Sequence, residues 1–334
     1  MKDMKNNKNN PLEVLQLHLA SEMNSVDRLI NTYMKSETAP IISKLADHLI
    51  NSGGKRLRPL LTLAAANLCN YNGTSHVKLA AAIEFIHTAT LLHDDVVDES
   101  LQRRGKPTAN LLWDNQSSIL VGDYLFSKSF QLMVEAGSLK VLSVLADASA
   151  TISEGEILQL SAAKNINTDE ETYFKIIDGK TAALFAAATK VGAIISNMDE
   201  THVDALTNFG KALGISFQLT DDLLDYTGFE ESLGKNIGDD YREGKITLPL
   251  IKAINKSSGD EIIFWEKTVG KGVQEPSDLK KALFLMKKYG ALDDTRHEAI
   301  IWATKAADYL EIFPECEIKI ILKELTSFVV ERIN

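Results

Sequence analysis

This chain has little that would staple it, break it or carry it through a membrane. Cys69 and Cys316 are its only cysteines and lie in unrelated contexts, so neither a disulfide framework nor a thiolate zinc site is indicated. Free thiols suit a reducing cytoplasm, the location expected. Seven prolines in 334 residues leave long stretches uninterrupted. The most apolar stretch, 182–195, is short and carries Lys190, so no transmembrane segment is predicted. Positive charge is also scarce: 36 Lys and Arg against 46 Asp and Glu leave a net charge of −10. That balance argues against nucleic acid as the main partner, because such binding calls for a basic stripe. Residues 1–10 are rich in Asn and Lys and lack the apolar core of a signal peptide or the Arg-rich pattern of a transit peptide. They read as a disordered polar tail.

Helical periodicity fills most of the remainder. Ala and Leu dominate, and no turn-bounded strand runs stand out. The apolar spacing predicts helices over 78–99, 117–135, 141–163, 170–195 and 200–226. Pro59 sits where a helix begins, after the basic loop Gly53-Gly54-Lys55-Arg56-Leu57-Arg58. Thr168 and Glu171 have the spacing of a capping box. A Gly- and charge-rich loop, 228–247, interrupts the pattern, and a polar stretch at 256–276 is expected to join the main helices to a C-terminal helical extension. No internal repeat is visible. Residues 11–334 are therefore expected to form a single large all-α bundle.

Two acidic sets share one spacing: Asp94-Asp95-Val96-Val97-Asp98 and Asp221-Asp222-Leu223-Leu224-Asp225. The first and last Asp of each are four apart, one turn along one helix face. A lone Asp doublet is ordinarily a solvated helix face or a cap. Here both sets lie among Leu, Val and Phe, where unpaired carboxylates are costly to bury. A hard divalent cation removes their mutual repulsion, and Mg²⁺ is commonly held by a few carboxylates together with substrate phosphates. Two such sets far apart in sequence suggest two helices facing each other across a diphosphate.

The first set continues a helix reading Glu84-Phe85-Ile86-His87-Thr88-Ala89-Thr90-Leu91-Leu92-His93 and is followed by Arg103-Arg104-Gly105-Lys106-Pro107-Thr108. The second follows Phe217-Gln218-Leu219-Thr220, with Gly234-Lys235 downstream. Together with the basic loop, these segments resemble the trans-isoprenyl diphosphate synthases, and within them the long-chain bacterial polyprenyl type. The resemblance runs from about residue 55 to 249, with the motifs in family order. It implies that an allylic diphosphate ionises to a carbocation and pyrophosphate, that isopentenyl diphosphate attacks through its double bond, and that a proton is then lost. No side chain stands out as the proton acceptor. The resemblance further implies Mg²⁺ on Asp94 and Asp98, and on Asp221 with Asp222 and Asp225 in support; Asp95 is the weakest of the ligand set. It assigns Lys55, Arg58, His87 and Arg104 to isopentenyl diphosphate, and Arg103, Lys180, Lys235 and Lys245 to the allylic diphosphate. Thr181 and Gln218 are directed into the site, Gln218 near the reacting centre. A homodimer is implied as well.

Product length is read from the row Ala89, Ile86 and Ile83, upstream of Asp94 on one helix face. Ile86 lies about 12 Å along the helix from Asp94 at 1.5 Å per residue. Family members that stop at farnesyl place an aromatic residue four or five positions before the first Asp; Thr90 and Ala89 occupy those positions here. A tunnel open near the site is expected, with Phe126, Phe130 or Met133 as a deeper floor, and a product of octaprenyl length for a quinone side chain. A shorter-chain synthase and one subunit of a heteromeric synthase stay open as alternatives. A terpene cyclase needs neither the second acidic set nor Lys55 and Arg58. Glu84-x-x-His87 matches half of a di-iron carboxylate pattern, without a second copy. His93-Asp94 lacks the further His ligands that a metal phosphohydrolase of the His-Asp type would need.

Overall fold

Ala, Leu and straight-chain polar residues lose little freedom in a helix, and here they make almost every element. The computed structural model describes residues 10–51, 54–103, 105–227 and 237–332. Of the tail expected to be disordered at 1–10, Asn10 instead caps α1 (Pro11–His18), its side chain accepting from the Leu12 N–H at 3.0 Å; residues 1–9 lie outside the described residues. There follow α2 (Ala20–Tyr33), α3 (Pro40–Asn51), α4 (Leu57–Leu68) and the long α5 (Ser75–Val97). A two-residue hairpin, β1 (Gln102–Arg103) with β2 (Lys106–Pro107), is the only sheet among the described residues. Next come α6 (Ala109–Leu112), α7 (Asn115–Glu135), α8 (Leu139–Ala162), α9 (Glu170–Ile177), α10 (Ala183–Ile195) and α11 (Glu200–Thr227). The chain closes with α12 (Asp239–Glu243), α13 (Leu248–Lys256), α14 (Asp260–Trp265), α15 (Asp278–Lys288), α16 (Ala291–Tyr309) and α17 (Glu317–Glu331). The fold is all-α, as the periodicity predicts.

Three local expectations are corrected. The cap of α9 is Asp169, not Thr168: the Asp169 carboxylate accepts from the Thr172 N–H at 2.8 Å. A charged acceptor at the positive end of a helix dipole outcompetes a hydroxyl one residue earlier. The predicted helix 170–195 is divided by a single π-helical segment, Asp178–Ala182. The polar stretch 256–276 is no mere connector, because it contains α14 and a second π-helical segment, Glu266–Gly270. Its Trp265 is fully buried and donates from Nε1 to Ser257 Oγ at 2.9 Å.

Two apolar clusters hold the helices. The larger joins α1, α2, α4, α5, α7, α8, α10 and α17; the smaller joins α9 and α12–α16. Helix α11 serves both: Leu206, Phe209 and Leu213 pack in the larger, Ile215, Leu219 and Tyr226 in the smaller. The second acidic set is thereby carried to the boundary between them. Among the described residues no helix is long and apolar enough to cross a membrane.

Candidate active site

Both acidic sets fall in the last turns of their helices, α5 and α11, where the dipole is negative and carboxylates are disfavoured. Their charge must be met by something else. The two helix ends open on one cleft of about 510 Å³, and five of the six motif carboxylates line it: Asp94, Asp98, Asp221, Asp222 and Asp225. Arg58, His87, Arg103, Lys180, Thr181, Gln218 and Lys245 line the same cleft. Residues spread over most of the sequence thus converge on one space.

Each carboxylate has a distinct setting. Asp98, the C-cap of α5, receives Lys245 Nζ at 2.9 Å. Burial works to lower the pKa of Lys245, but Asp98, Asp240 and Glu243 together hold it above the ordinary lysine range. Asp222 is buried, accepting from Tyr173 Oη at 2.6 Å and from Gln218 Nε2 at 2.7 Å. Thr181 in turn donates to Gln218 Oε1 at 2.7 Å, so Thr181, Gln218, Asp222 and Tyr173 form one chain of hydrogen bonds. Asp225 accepts the backbone N–H groups of Asp239 and Asp240, both at 3.2 Å, and so anchors the segment that carries Lys245. Asp221 meets Arg332 at 3.1 Å.

The Asp94 carboxylate meets no hydrogen-bond or ion-pair partner among the described residues, although it lines the cleft beside Lys180. Burial pushes its carboxyl up to about 7, against the opposing pull of Lys180 and with Glu156 adding to the rise. Asp222 is likewise pushed to about 7, first by burial and then by Asp240. Carboxylates that burial makes costly to charge, gathered in one cleft, are a donor set that accepts a hard cation. No three His, Cys, Asp or Glu groups among the described residues are drawn together as an all-protein metal cage. A hard ion such as Mg²⁺ is commonly held by only a few carboxylates and keeps part of its shell for phosphate and water.

Several expected residues stand apart. Asp95 is buried on another side of α5, where Arg103 Nε and Nη2 donate to its Oδ1 at 2.9 and 2.7 Å. It lines a small neighbouring pocket rather than the cleft, so it does not join the other five carboxylates. Lys55 is exposed and lines neither cavity. Arg104 and Lys235 lie outside the described residues. Arg58 Nη1 donates to His87 Nε2 at 3.0 Å, since a guanidinium carries donors and no acceptor. Arg58 also lies over the Phe185 ring at 4.7 Å.

Four cleft residues escaped sequence reading. Glu156 of α8 holds Lys180 Nζ at 2.8 Å. Tyr173, Asp240 and Arg332 complete the surroundings of the second acidic set. An Asp239-Asp240 doublet is visible in the charge-rich loop; nothing local marks Glu156, Tyr173 or Arg332.

The row Ala89, Ile86 and Ile83 is fully buried in the larger core and does not line the cleft, which takes His87, Thr90 and Leu91 from this part of α5. Met133 is buried, whereas Phe130 is 39% exposed and cannot floor an internal channel of this chain. Phe126 is partly buried and meets Phe130 edge-on at 5.5 Å.

An all-helical bundle with paired acidic helix ends around a cation-lined cleft defines the isoprenoid synthase class. The polyprenyl synthetase family model matches residues 39–286, and the chain belongs to that family of prenyltransferases. It is 41% identical over 321 residues to the octaprenyl diphosphate synthase of Escherichia coli (strain K12), covering 96% of this chain and 99% of that one. Among solved structures it is similar to a decaprenyl diphosphate synthase from Rhodobacter capsulatus, with 55% identity, a TM-score of 0.94 and coverage of 97% and 100%. A polyprenyl synthase from Caulobacter crescentus, complexed with calcium and isoprenyl diphosphate, gives 48% identity, a TM-score of 0.93 and coverage of 98% and 100%.

Proposed function

We propose that this chain condenses an allylic diphosphate, farnesyl diphosphate in the first instance, with successive isopentenyl diphosphates in a Mg²⁺-dependent reaction. The product proposed is an all-trans polyprenyl diphosphate of octaprenyl length, made in the cytoplasm for a quinone side chain. The observation that carries this reading is the meeting of both acidic sets in one cleft with Arg58, Arg103, Lys180 and Lys245. Asp94, Asp98 and Asp221 would hold Mg²⁺, with Asp222 and Asp225 in support, and the bound metal would neutralise charge on the departing pyrophosphate.

The chain's own groups account for the rest. Lys180 and Lys245 turn from Glu156 and Asp98 toward the allylic diphosphate as the carbon–oxygen bond breaks and negative charge grows on the leaving oxygen. Gln218, fixed at both ends of its amide by Thr181 and Asp222, presents a set orientation to the allylic centre. Arg58, steadied by His87, receives the diphosphate of the second substrate, whose double bond attacks the cation before a proton is lost.

A homodimer is part of this reading. Helix α7 exposes Leu120, Phe130 and Val134 along one face, and α8 exposes Leu139, Ile157 and Leu160. Such surface is commonly covered by another chain.

The relatives' names and the small residues Ala89 and Thr90 support the long product. The packed row Ala89, Ile86, Ile83 favours a second reading, a product that stops at geranylgeranyl. Incubation with farnesyl diphosphate, labelled isopentenyl diphosphate and Mg²⁺, with an EDTA control and chromatographic sizing of the prenyl alcohols, separates them. Metal-dependent octaprenyl products are expected. Geranylgeranyl alone would establish the second reading, and no elongation would sink both.

A further inference from the structure

Glu84 and His87, half of a di-iron pattern in sequence, have another use in the fold. They lie three apart on α5, one turn along the same face. Glu84 ion-pairs with Arg56, and His87 accepts from Arg58 Nη1 at 3.0 Å. One helix turn therefore grips alternate residues of the basic loop.

The grip is needed because Arg56 is not at rest. Its backbone is left-handed, φ 49° and ψ 33°, and its carbonyl accepts from the Leu60 N–H at 3.1 Å to open α4. That conformation is disfavoured in a residue with a Cβ and persists only where surrounding contacts hold it. The Arg56 and Glu84 side chains retain 19% and 10% of their exposure, so the pair is largely shielded from water.

The pairing also decides which arginine meets substrate. Arg58 lines the large cleft; Arg56 lines a smaller pocket of about 50 Å³ together with Glu84 and Gly54. His87, Leu91 and Arg103 line both cavities and form the wall between them. Glu84 draws the Arg56 charge behind that wall and leaves Arg58 in front of it.

We propose that Glu84 is a positioning residue for isopentenyl diphosphate: through Arg56 it sets the turn of the basic loop and thereby aims Arg58 into the cleft. This rests on the assignment of Arg58 to that substrate. Steady-state kinetics on Glu84→Gln, Arg56→Gln, the double variant and Arg58→Gln test it, with KM for isopentenyl diphosphate, KM for the allylic substrate, kcat and thermal melting read for each. Glu84→Gln is expected to raise KM for isopentenyl diphosphate about tenfold, the effect of losing a hydrogen bond between charged groups. Its kcat and allylic KM should stay within about twofold of the parent, and the double variant should be no worse than either single one, since both remove the same contact. Arg56→Lys keeps the pair and should restore most of the parent KM. If Glu84→Gln does not fold, Arg56→Gln reads the same contact from its more exposed side. An unchanged KM in both variants while Arg58→Gln raises it would overturn the positioning role alone. A parallel loss of kcat, both KM values and melting temperature would reduce the pair to a structural one and also overturn the proposal. If Arg58→Gln too leaves KM unchanged, the substrate assignment beneath it fails.

Discussion

Lys245 Nζ sits 2.9 Å from Oδ2 of Asp98 and so ties the end of α5 to a residue 147 positions further along the chain. The pair closes one wall of the cleft and holds a cation and a carboxylate in mutual reserve. Replacing Lys245 by Ala removes a charge that would face the leaving diphosphate. We expect kcat to fall by about 10²–10³, the usual effect of losing a preorganised electrostatic group. Steady-state kinetics with melting curves as a fold check would measure it; a loss below threefold would remove Lys245 from the charge-stabilising set.

Arg332 holds Asp221 from far along the chain, and its Nη1 is buried with no hydrogen-bond partner among the described residues. Asp221 is 38% exposed, so the pair should contribute about 0–1 kcal/mol to stability. Arg332→Ala is therefore expected to leave melting nearly unchanged. It should tighten Mg²⁺ binding in calorimetry, because Asp221 loses a competing cation. Weaker Mg²⁺ binding in that variant would contradict the expectation.

The Asp94 carboxyl, raised by burial from the ordinary 3.8 to about 7 in the fold, makes the metal-free protein sensitive to pH. Between those values the folded state binds more protons than the unfolded one, so unfolding free energy falls as pH rises. The contribution is whole below about pH 4 and lost as pH passes about 7. Other carboxylates with lowered pKa act in the opposite sense, so the comparison is with Asp94→Asn. The melting difference, parent minus variant, should decrease from pH 4 to 7.5 in EDTA; a flat difference would contradict the buried setting of Asp94.

Gly155 and Gly179 let α8 touch the π-helical segment that carries Lys180. A Cβ on Gly155 would stand 2.6 Å from the Lys180 backbone nitrogen, and one on Gly179 would stand 2.9 Å from the Thr151 carbonyl oxygen. Backbone cannot yield as a flexible side chain can. Gly155→Ala should destabilise by about 1–3 kcal/mol, as overpacking does, and should displace Lys180 from Glu156. Circular-dichroism melting and kcat would report both effects; an unchanged kcat would show that Lys180 keeps its place without the close contact.

Much of this molecule was legible before its structure. Periodicity marked the helices because an apolar stripe at helical spacing survives any tertiary arrangement. The paired acidic sets stood out because carboxylates among apolar residues demand compensation. Asp169 rather than Thr168 is the cap because α9 opens at Glu170, one residue later than the capping-box spacing places it, and pattern alone does not fix that boundary. The Asp178–Ala182 π segment was hidden because no local pattern marks it, and the helix it packs against, at Gly155, is distant in sequence.

The sequence by itself determined that the chain is helical and that two acidic sets of one spacing lie among apolar residues, since residue type and spacing carry both facts. Only the tertiary structure decided which charges answer which. Asp95 went to Arg103 behind the cleft, Asp98 to Lys245, Asp221 to Arg332 and Arg56 to Glu84. Those pairings depend on how α4, α5, α11 and α17 pack, and the distances that packing sets are not written in the local order of residues.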